Sequence, residues 1–233
     1  MEHKKVVVFT GAGISAESGL QTFRDGDGLW ENHHIEDVCT PEAWARQPDL
    51  VQAFYNDRRE AVIKAQPNAA HHALARLSEL MEVMVITQNI DDLHERAGSQ
   101  NVLHLHGQVR HAQSSIDARL TYPIEGHELS MAAKCELGSP LRPHVVFFGE
   151  AVPNMDVAMG LARQADILLV VGTSLSVYPA ANLIYEVPSH AQKVLIDPAA
   201  DQRWAEEGFL CIPERASIGL PRWVEDTLGV VMA

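Results

Sequence analysis

The chain has 233 residues, 46% of them hydrophobic and 21% charged, which is typical of one globular domain or two small ones and excludes a disordered or collagen-like chain. Its 18 Lys and Arg against 31 Asp and Glu give a net charge of −13, so we expect neither nucleic acid nor an anionic membrane as a partner. Three widely separated cysteines predict no disulfide framework and a cytoplasmic location. No apolar run reaches the ~20 residues of a membrane span, and we expect the protein to begin at residue 1, without a cleaved leader.

Five short apolar runs without polar alternation predict strands buried on both faces, as in a parallel sheet covered by helices. The runs are residues 6–9, 83–86, 145–148, 167–171 and 193–196. Helical patterns at 48–65, 68–81 and 156–165 separate several of them, so the fold class is α/β. Each run ends in Gly, Asn, Asp, Ser or Thr, at the edge of the sheet where ligands of such folds bind.

Two stretches depart from this alternation and predict a smaller module. Residues 25–67 contain helix signals, including a start at Thr40-Pro41-Glu42, but no convincing strand. Residues 108–144 are polar, irregular and rich in turn formers. We therefore assign 25–70 and 108–144 to the small module, and 1–24, 71–107 and 145–233 to the sheet domain.

The turn Gly11-Ala12-Gly13-Ile14-Ser15-Ala16 follows the first predicted strand and has the form of a dinucleotide phosphate turn, although glycine-rich strand exits are common. A dehydrogenase would also need an acidic residue ending a second strand about 20 residues later. Glu36 and Asp37 have that spacing, but residues 29–35 do not read as a strand. This weakens the interpretation of the chain as a hydride-transfer enzyme. Asp197, at the end of another strand, becomes the better candidate for binding a ribose.

Two further clusters carry chemistry. Gln88, Asn89 and Asp91 follow the run 83–86, where amides and a carboxylate can orient a sugar and a carboxamide; a helix N-cap is the alternative, and it explains one of them. His104 and His106 alternate with leucines, so both imidazoles point to one face. Histidine is a natural general base near neutral pH, whereas a structural histidine is the alternative for either residue.

Together these residues resemble the successive motifs of the sirtuins, the NAD-dependent protein lysine deacylases. The similar segments keep the family's order and span nearly the whole chain; they are 10–19 with Phe23-Arg24, 87–91, 105–107, 141–150 and 171–175. The resemblance implies a Rossmann-like domain plus a small module, with NAD and an acyl-lysine protein or peptide meeting in the cleft between them. It also implies that the acyl oxygen attacks C1′ of the nicotinamide ribose, that nicotinamide leaves, and that O-acyl-ADP-ribose is formed.

The resemblance also assigns residues. His106 becomes the base on a ribose hydroxyl, with Asn89 and Asp91 completing the catalytic set, and Phe23 on the cofactor loop shields the reactive sugar from water. The cofactor-binding positions are Gly11, Ala12, Gly13, Ala16, Phe23, Arg24, Gln88, Asn89, Asp91, Gly172, Thr173, Ser174 and Asp197. Val146, Phe148, Gly149 and Glu150 belong to the segment that pairs with the substrate peptide by β-addition.

Three features depart from the family pattern. Gln21 stands where the family usually has proline, and Asp197 stands where it usually has Asn. The two Cys-x-x-Cys pairs that typically bind zinc are missing. Cys135 is the only cysteine in 108–144, and the position that would complete its pair is Gly138. Ser114-Ser115 occupies the place where the first pair is expected. His111 and His127 do not complete a plausible set with Cys135, so we expect no zinc. Apolar contacts must then hold the module, the candidates being Leu120, Tyr122, Ile124, Leu129 and Leu137.

Tyr55 and Arg58 are three residues apart on one helix face and are similar to the Tyr-x-x-Arg of the sirtuins that remove succinyl and malonyl groups, although an ordinary helix surface is the alternative. Cys39 matches the small residue in the acyl pocket of that subgroup. The sequence therefore predicts desuccinylation and demalonylation as well as deacetylation. Two rival functions remain: NAD hydrolysis or ADP-ribosyl transfer, and an NAD-sensing module without catalysis.

Overall fold

The computed structural model describes residues 4–21, 29–30 and 33–231. The strands in chain order are β1 (Lys5–Thr10), β2 (Leu29–Trp30), β3 (His33–His34), β4 (Glu82–Thr87), β5 (Val102–His104), β6 (Gly107–Ser114), β7 (Thr121–Pro123), β8 (Leu141–Val145), β9 (Ile167–Val171), β10 (Gln192–Ile196) and β11 (Phe209–Ile212). The α-helices are α1 (Gly13–Ala16), α2 (Ile35–Val38), α3 (Pro41–Arg46), α4 (Pro48–Lys64), α5 (Ala69–Leu77), α6 (Leu93–Arg96), α7 (Met155–Ala162), α8 (Gln202–Glu206) and α9 (Ala216–Val231), with a 3₁₀ helix at Ala180–Tyr185. Among the described residues, none of the helices combines the length and the apolar character of a bilayer span.

Six strands form one parallel sheet in the order β11-β10-β9-β1-β4-β5. The chain builds β1, β4 and β5 outward in one direction and then β9, β10 and β11 in the other. The strand order therefore reverses between β1 and β9, and ligands of doubly wound folds bind at the carboxyl ends of the strands at such a point. This arrangement confirms the predicted α/β class with a Rossmann-like parallel sheet.

Both faces of the sheet are buried, as the apolar runs predict. Val6 and Val8 of β1 belong to a core with α5 and α9, whereas Val7 and Phe9 point to the opposite core with α7. The predicted helices at 48–65, 68–81 and 156–165 correspond to α4, α5 and α7. Thr40 caps α3 by accepting a hydrogen bond from the Ala43 amide at 3.0 Å, as its position predicts.

Three predictions of local structure are wrong. The run 145–148 is not a strand of the parallel sheet, because β8 ends at Val145 and pairs antiparallel with β6. The stretch 108–144, predicted to be irregular, holds most of a three-stranded antiparallel sheet in the order β7-β6-β8. Residues 25–67 do contain strands, since β2 and β3 form a two-residue antiparallel pair too short for a sequence pattern to show.

The small sheet is tied to α4 by side chains that bind backbone carbonyls. Arg59 is fully buried; its Nε donates to Val109 O at 2.6 Å and its Nη1 to His127 O at 2.7 Å. Gln52 of the same helix donates to Leu129 O at 2.8 Å. Burial lowers the pKa of Arg59 to about 10, so the guanidinium stays charged. These bonds fix β6, which begins directly after His106. The residue boundaries of the two units stay a prediction.

Candidate active site

Two glycine turns meet backbone to backbone where the strand order reverses. The Gly11 amide donates to Val171 O at 3.1 Å, and the Gly13 amide to Gly172 O at 2.8 Å. A Cβ on Gly13 would lie 2.8 Å from Gly172 Cα, and Gly172 has a φ of +62°, a conformation that favours glycine. Gly13 and Gly172 therefore allow the two loops to pack closely against each other. This packing keeps Gly11 and Ala12 at the cleft.

The cleft at this point is a cavity of about 240 Å³. Its walls come from the turns after β1, β4 and β9, from α4 and from residues 145–150. It brings together most of the predicted site residues, namely Gly11, Ala12, Cys39, Arg58, Gln88, Asn89, Asp91, His106, Val146, Phe148, Gly149, Glu150, Gly172, Thr173 and Ser174. Residues far apart in the sequence thus share one site, as the convergence of strand ends predicts.

The segment after β4 is held by its own side chains. Asn89 Nδ2 donates to Gly11 O and to Ser15 Oγ, both at 3.1 Å, and Gln88 Nε2 donates to Thr173 Oγ1 at 3.1 Å. Asp91 Oδ1 accepts from the amide of Leu93, the first residue of α6, at 3.1 Å; this is a local turn ahead of the helix, whose N-cap residue is Asp92. Burial raises the pKa of the Asp91 carboxyl, which faces the cleft with the other two side chains.

His106 is oriented by the backbone of the same segment. Its Nδ1 lies 3.0 Å from Gln88 O, and because a carbonyl oxygen only accepts, Nδ1 carries the hydrogen. Burial lowers the pKa of His106, partly opposed by this bond. At neutral pH the ring is therefore uncharged and Nε2 is the basic nitrogen. A neutral imidazole lining the cleft is suited to general base catalysis.

The predicted acyl-pocket residues divide into two layers. Arg58 and Cys39 line the cleft, and Arg58 Nη2 donates to Gln21 O at 3.0 Å. Tyr55 is fully buried, and its hydroxyl is hydrogen-bonded to Cys39 Sγ at 2.8 Å. Burial raises the pKa of Cys39 to about 12, so the group stays a thiol. Tyr55 itself does not line the cleft, and joint binding of an acyl group by Tyr55 and Arg58 stays a prediction.

The wall formed by residues 145–150 is held by a partly buried ion pair. Arg142 donates to both carboxylate oxygens of Glu150, at 2.7 and 2.8 Å, and to Val145 O at 2.9 Å. Glu150 also accepts from the Phe147 amide at 2.7 Å, and the guanidinium lies 4.0 Å from the centre of the Phe147 ring. Glu150, predicted as a substrate contact, is thus bound within the protein. Arg142, which sequence reasoning did not assign, holds this loop.

Several predicted positions do not line the cleft; they are Gly13, Ala16, Tyr55 and Asp197. Asp197 is buried at the end of β10 and accepts from the Ala199 amide at 2.9 Å, which stabilises a turn. Phe23 and Arg24 lie outside the described residues. Cofactor binding by Gly13, Ala16, Phe23, Arg24 and Asp197 stays a prediction, as does substrate binding by Tyr55.

In the small module, Ser114, Ser139 and Cys135 come together. Ser114 Oγ lies 2.9 Å from Ser139 Oγ, which lies 3.2 Å from Cys135 Sγ. Of the expected apolar residues, Ile124 and Leu129 are in the core beside Cys135, with Tyr122 packed against it, whereas Leu137 is exposed. Within the described ranges, no group of three or more His, Cys, Asp or Glu could hold a metal ion.

A doubly wound fold with a glycine-lined cleft and a neutral histidine at its switch point defines a class of nucleotide-binding proteins. The profile of the Sir2 family matches residues 11–179, and the chain belongs to this family, which confirms the resemblance to the sirtuins. It is 56% identical to an NAD-dependent protein deacylase of Aggregatibacter actinomycetemcomitans, over 82% of this chain and 92% of the relative. It is 45% identical to one of Vibrio parahaemolyticus, over 98% and 97% of the two chains.

Solved structures of Sir2 proteins are also similar to this chain. A Sir2 homologue in complex with NAD has a TM-score of 0.89 and 38% identity, covering 99% of this chain and 91% of the other. A Sir2 mutant with a p53 peptide and NAD has a TM-score of 0.80 and 30% identity, covering 98% and 95%.

Proposed function

We propose that this chain is an NAD-dependent protein lysine deacylase. The observation that carries the proposal is His106, held by Gln88 O with its basic nitrogen available in a cleft shared with Asn89 and Asp91. The relatives described as NAD-dependent protein deacylases support it.

The residues present fit NAD. The close approach of the glycine turns leaves space beside backbone groups for a pyrophosphate, and Asn89, Asp91 and Gln88 offer amide and carboxyl groups for a ribose and a carboxamide. Bound NAD supplies a positively charged leaving group at C1′ of a ribose. The chain's residues orient that sugar and exclude water, and His106 Nε2 accepts a proton from a ribose hydroxyl. Residues 146–149 line the cleft and would pair with a substrate peptide by β-addition.

Replacing His106 by Tyr tests this mechanism. General base catalysis contributes about 10²- to 10⁴-fold, so we expect kcat/KM for deacylation to fall by at least about 100-fold, with an unchanged melting temperature. His72→Tyr, at an exposed histidine of α5, is the matched control and should keep wild-type turnover. Unchanged turnover in His106→Tyr would remove His106 from the mechanism.

We further propose a preference for acyl groups that end in a carboxylate, as in succinyl- and malonyl-lysine. Arg58 supports it, because Arg58 lines the cleft beside Cys39 and a guanidinium is a fork of donors matched to a carboxylate, although its Nη2 also donates to Gln21 O. Tyr55 contributes indirectly, by holding the Cys39 thiol. A charge-assisted bond contributes about 1.5–3 kcal/mol, or roughly ten- to a hundredfold in discrimination.

Arg58→Met, similar in length but uncharged, tests this preference. We expect kcat/KM for succinyl-lysine peptide to fall roughly ten- to a hundredfold while that for acetyl-lysine peptide changes little. An equal fall for both substrates would leave Arg58 a structural residue and plain deacetylation as the activity.

We also propose that the small module folds without zinc and that the protein is cytoplasmic. The hydrogen bonds among Ser114, Ser139 and Cys135 and the apolar core around them support the first proposal. The three cysteines are free thiols, which agrees with a reducing compartment.

A further inference from the structure

His104 joins the cofactor-facing segment to α6 through two hydrogen bonds. Its Nδ1 lies 2.9 Å from Asn89 O, and its Nε2 lies 2.7 Å from Glu95 Oε1. The imidazole is buried, whereas the Glu95 side chain is 37% exposed. His104 is two residues before His106 and does not line the cleft, so the mechanism proposed above does not use it.

The two partners define the protonation state of this ring. Asn89 O only accepts, so Nδ1 carries a hydrogen, and an ionised Glu95 requires a second hydrogen on Nε2. Although burial opposes the charged form, the hydrogen bond and charge of Glu95 raise the pKa of His104. The same bond holds the pKa of Glu95 below its usual value, against burial. Each ring nitrogen thus faces an acceptor, which favours an imidazolium paired with a carboxylate.

The His104–Glu95 pair holds the chain on both sides of Asp91, because His104 is bonded to Asn89 and Glu95 lies in α6. Asn89 is held at its backbone oxygen by His104 and at its side chain by Gly11 and Ser15. Asp91 lies between the two anchored points and accepts from the Leu93 amide. Loss of the bond to Glu95 frees the ring to rotate, which loosens Asn89. The imidazolium charge also favours the ionised form of Asp91.

We propose that His104, as an imidazolium paired with Glu95, is a positioning residue for residues 88–91, so that activity requires protonated His104. The inference rests on the proposed function, because it assumes that this segment binds NAD. It predicts that kcat/KM for NAD falls at alkaline pH as His104 loses its proton.

The titratable groups around His104 are Glu95, Asp91 after β4, His94 on α6, His111 on β6 and His144 on β8. The three histidines do not produce this alkaline change. Burial, the largest cause in each, lowers the pKa of the three histidines. They are therefore already neutral at any pH above 6.5, the usual pKa of histidine. The pKa of His106 is lowered as well, so its titration belongs to the acid side of the profile.

Glu95→Gln tests the proposal because it removes the charge, keeps the shape and alters a partly exposed side chain. Since an opposite charge shifts a pKa by about one to three units, we expect the alkaline limb of kcat/KM for NAD to move at least about one pH unit lower. KM for NAD at pH 8.5 should rise several-fold, and the acid limb should stay in place. His104→Asn keeps a donor for Asn89 O but loses the bond to Glu95 and the titrating ring, so its kcat/KM should be lowered at pH 7 and should lack the alkaline limb that His104 produces.

His190→Asn is the control, because His190 is an exposed histidine 3.9 Å from Asp166. It precedes β10, which three strands separate from β5, and the variant should keep the wild-type profile. An NMR titration of the His104 ring adds a readout independent of turnover and should give a pKa above 6.5 in the wild type and a lower one in Glu95→Gln. If wild-type protein does not turn over acyl peptide, the proposed function fails, and the NMR titration with the NAD affinity at pH 7 and 9 still tests the positioning role. An unchanged alkaline limb in Glu95→Gln, or a His104 pKa below 6.5, would overturn it.

Discussion

The ion pair between Arg142 and Glu150 should be a measurable source of both stability and peptide affinity. The perturbation is a double-mutant cycle of Arg142→Met and Glu150→Gln. A surface pair contributes less than about 1 kcal/mol, whereas breaking a buried pair costs about 3–5 kcal/mol. The Arg142 side chain is 9% exposed and that of Glu150 is 28% exposed. We therefore expect a coupling energy of about 2 kcal/mol, between these limits.

The assay is urea unfolding of the wild type, both single variants and the double variant at pH 7. A matched cycle at Arg163 and Glu186, whose side chains are 60% and 29% exposed, should give less than about 1 kcal/mol. Because the pair holds residues 145–150, Glu150→Gln should also raise KM for acyl peptide several-fold and leave KM for NAD nearly unchanged. A coupling energy equal to that of the control pair would refute the reasoning.

The same pair has a defined dependence on pH. Although burial raises the pKa of Glu150, the hydrogen bonds from Arg142 hold it below its usual value of 4.5. A carboxyl whose pKa is lowered by folding stabilises the native state above its unfolded-state pKa. The coupling energy should therefore be complete at pH 7 and disappear as the pH falls through the lowered pKa of the folded protein.

Three further results are expected. Purified protein should contain no stoichiometric zinc and keep its melting temperature in a strong chelator, because zinc-dependent modules unfold when the metal is removed; about one zinc per chain by elemental analysis would contradict this. Gly172→Ala should abolish NAD binding in calorimetry, since a Cβ there overlaps the backbone nitrogen of Ile14; wild-type affinity would count against the close approach. Arg59→Met should lower the free energy of unfolding by about 3 kcal/mol, because buried carbonyls lose their donors, and a loss below about 1 kcal/mol would show that the small sheet is held otherwise.

Sequence patterns predict the parallel sheet because its strands are apolar on both faces. Val6 to Phe9 and Ile167–Val171 are continuous apolar runs, and the polar residues that follow each run indicate where the cleft lies. The small sheet escapes this reasoning because β6 is partly exposed along its length and pairs with strands of low apolar content.

The supporting contacts of the site cannot be predicted from spacing. Alternation places His104 on the polar face, but its function depends on Asn89 and Glu95, which the fold brings to it. Tyr55 shares a helix with Arg58, yet its partner is Cys39, 16 residues away. Such partners depend on side-chain positions that periodicity does not encode.

The most direct test of deacylation is a mass balance of one reaction. Wild-type protein is incubated with NAD and, separately, with succinyl-, malonyl- and acetyl-lysine peptides, and the products are followed by mass spectrometry. We expect deacylated peptide, nicotinamide and O-acyl-ADP-ribose in equal amounts, and no loss of NAD when peptide is omitted. Formation of free ADP-ribose with intact peptide would identify an NAD hydrolase, and transfer of ADP-ribose to protein would identify a transferase. No consumption of NAD would identify a binding module, and each of these three results would contradict the proposed deacylase.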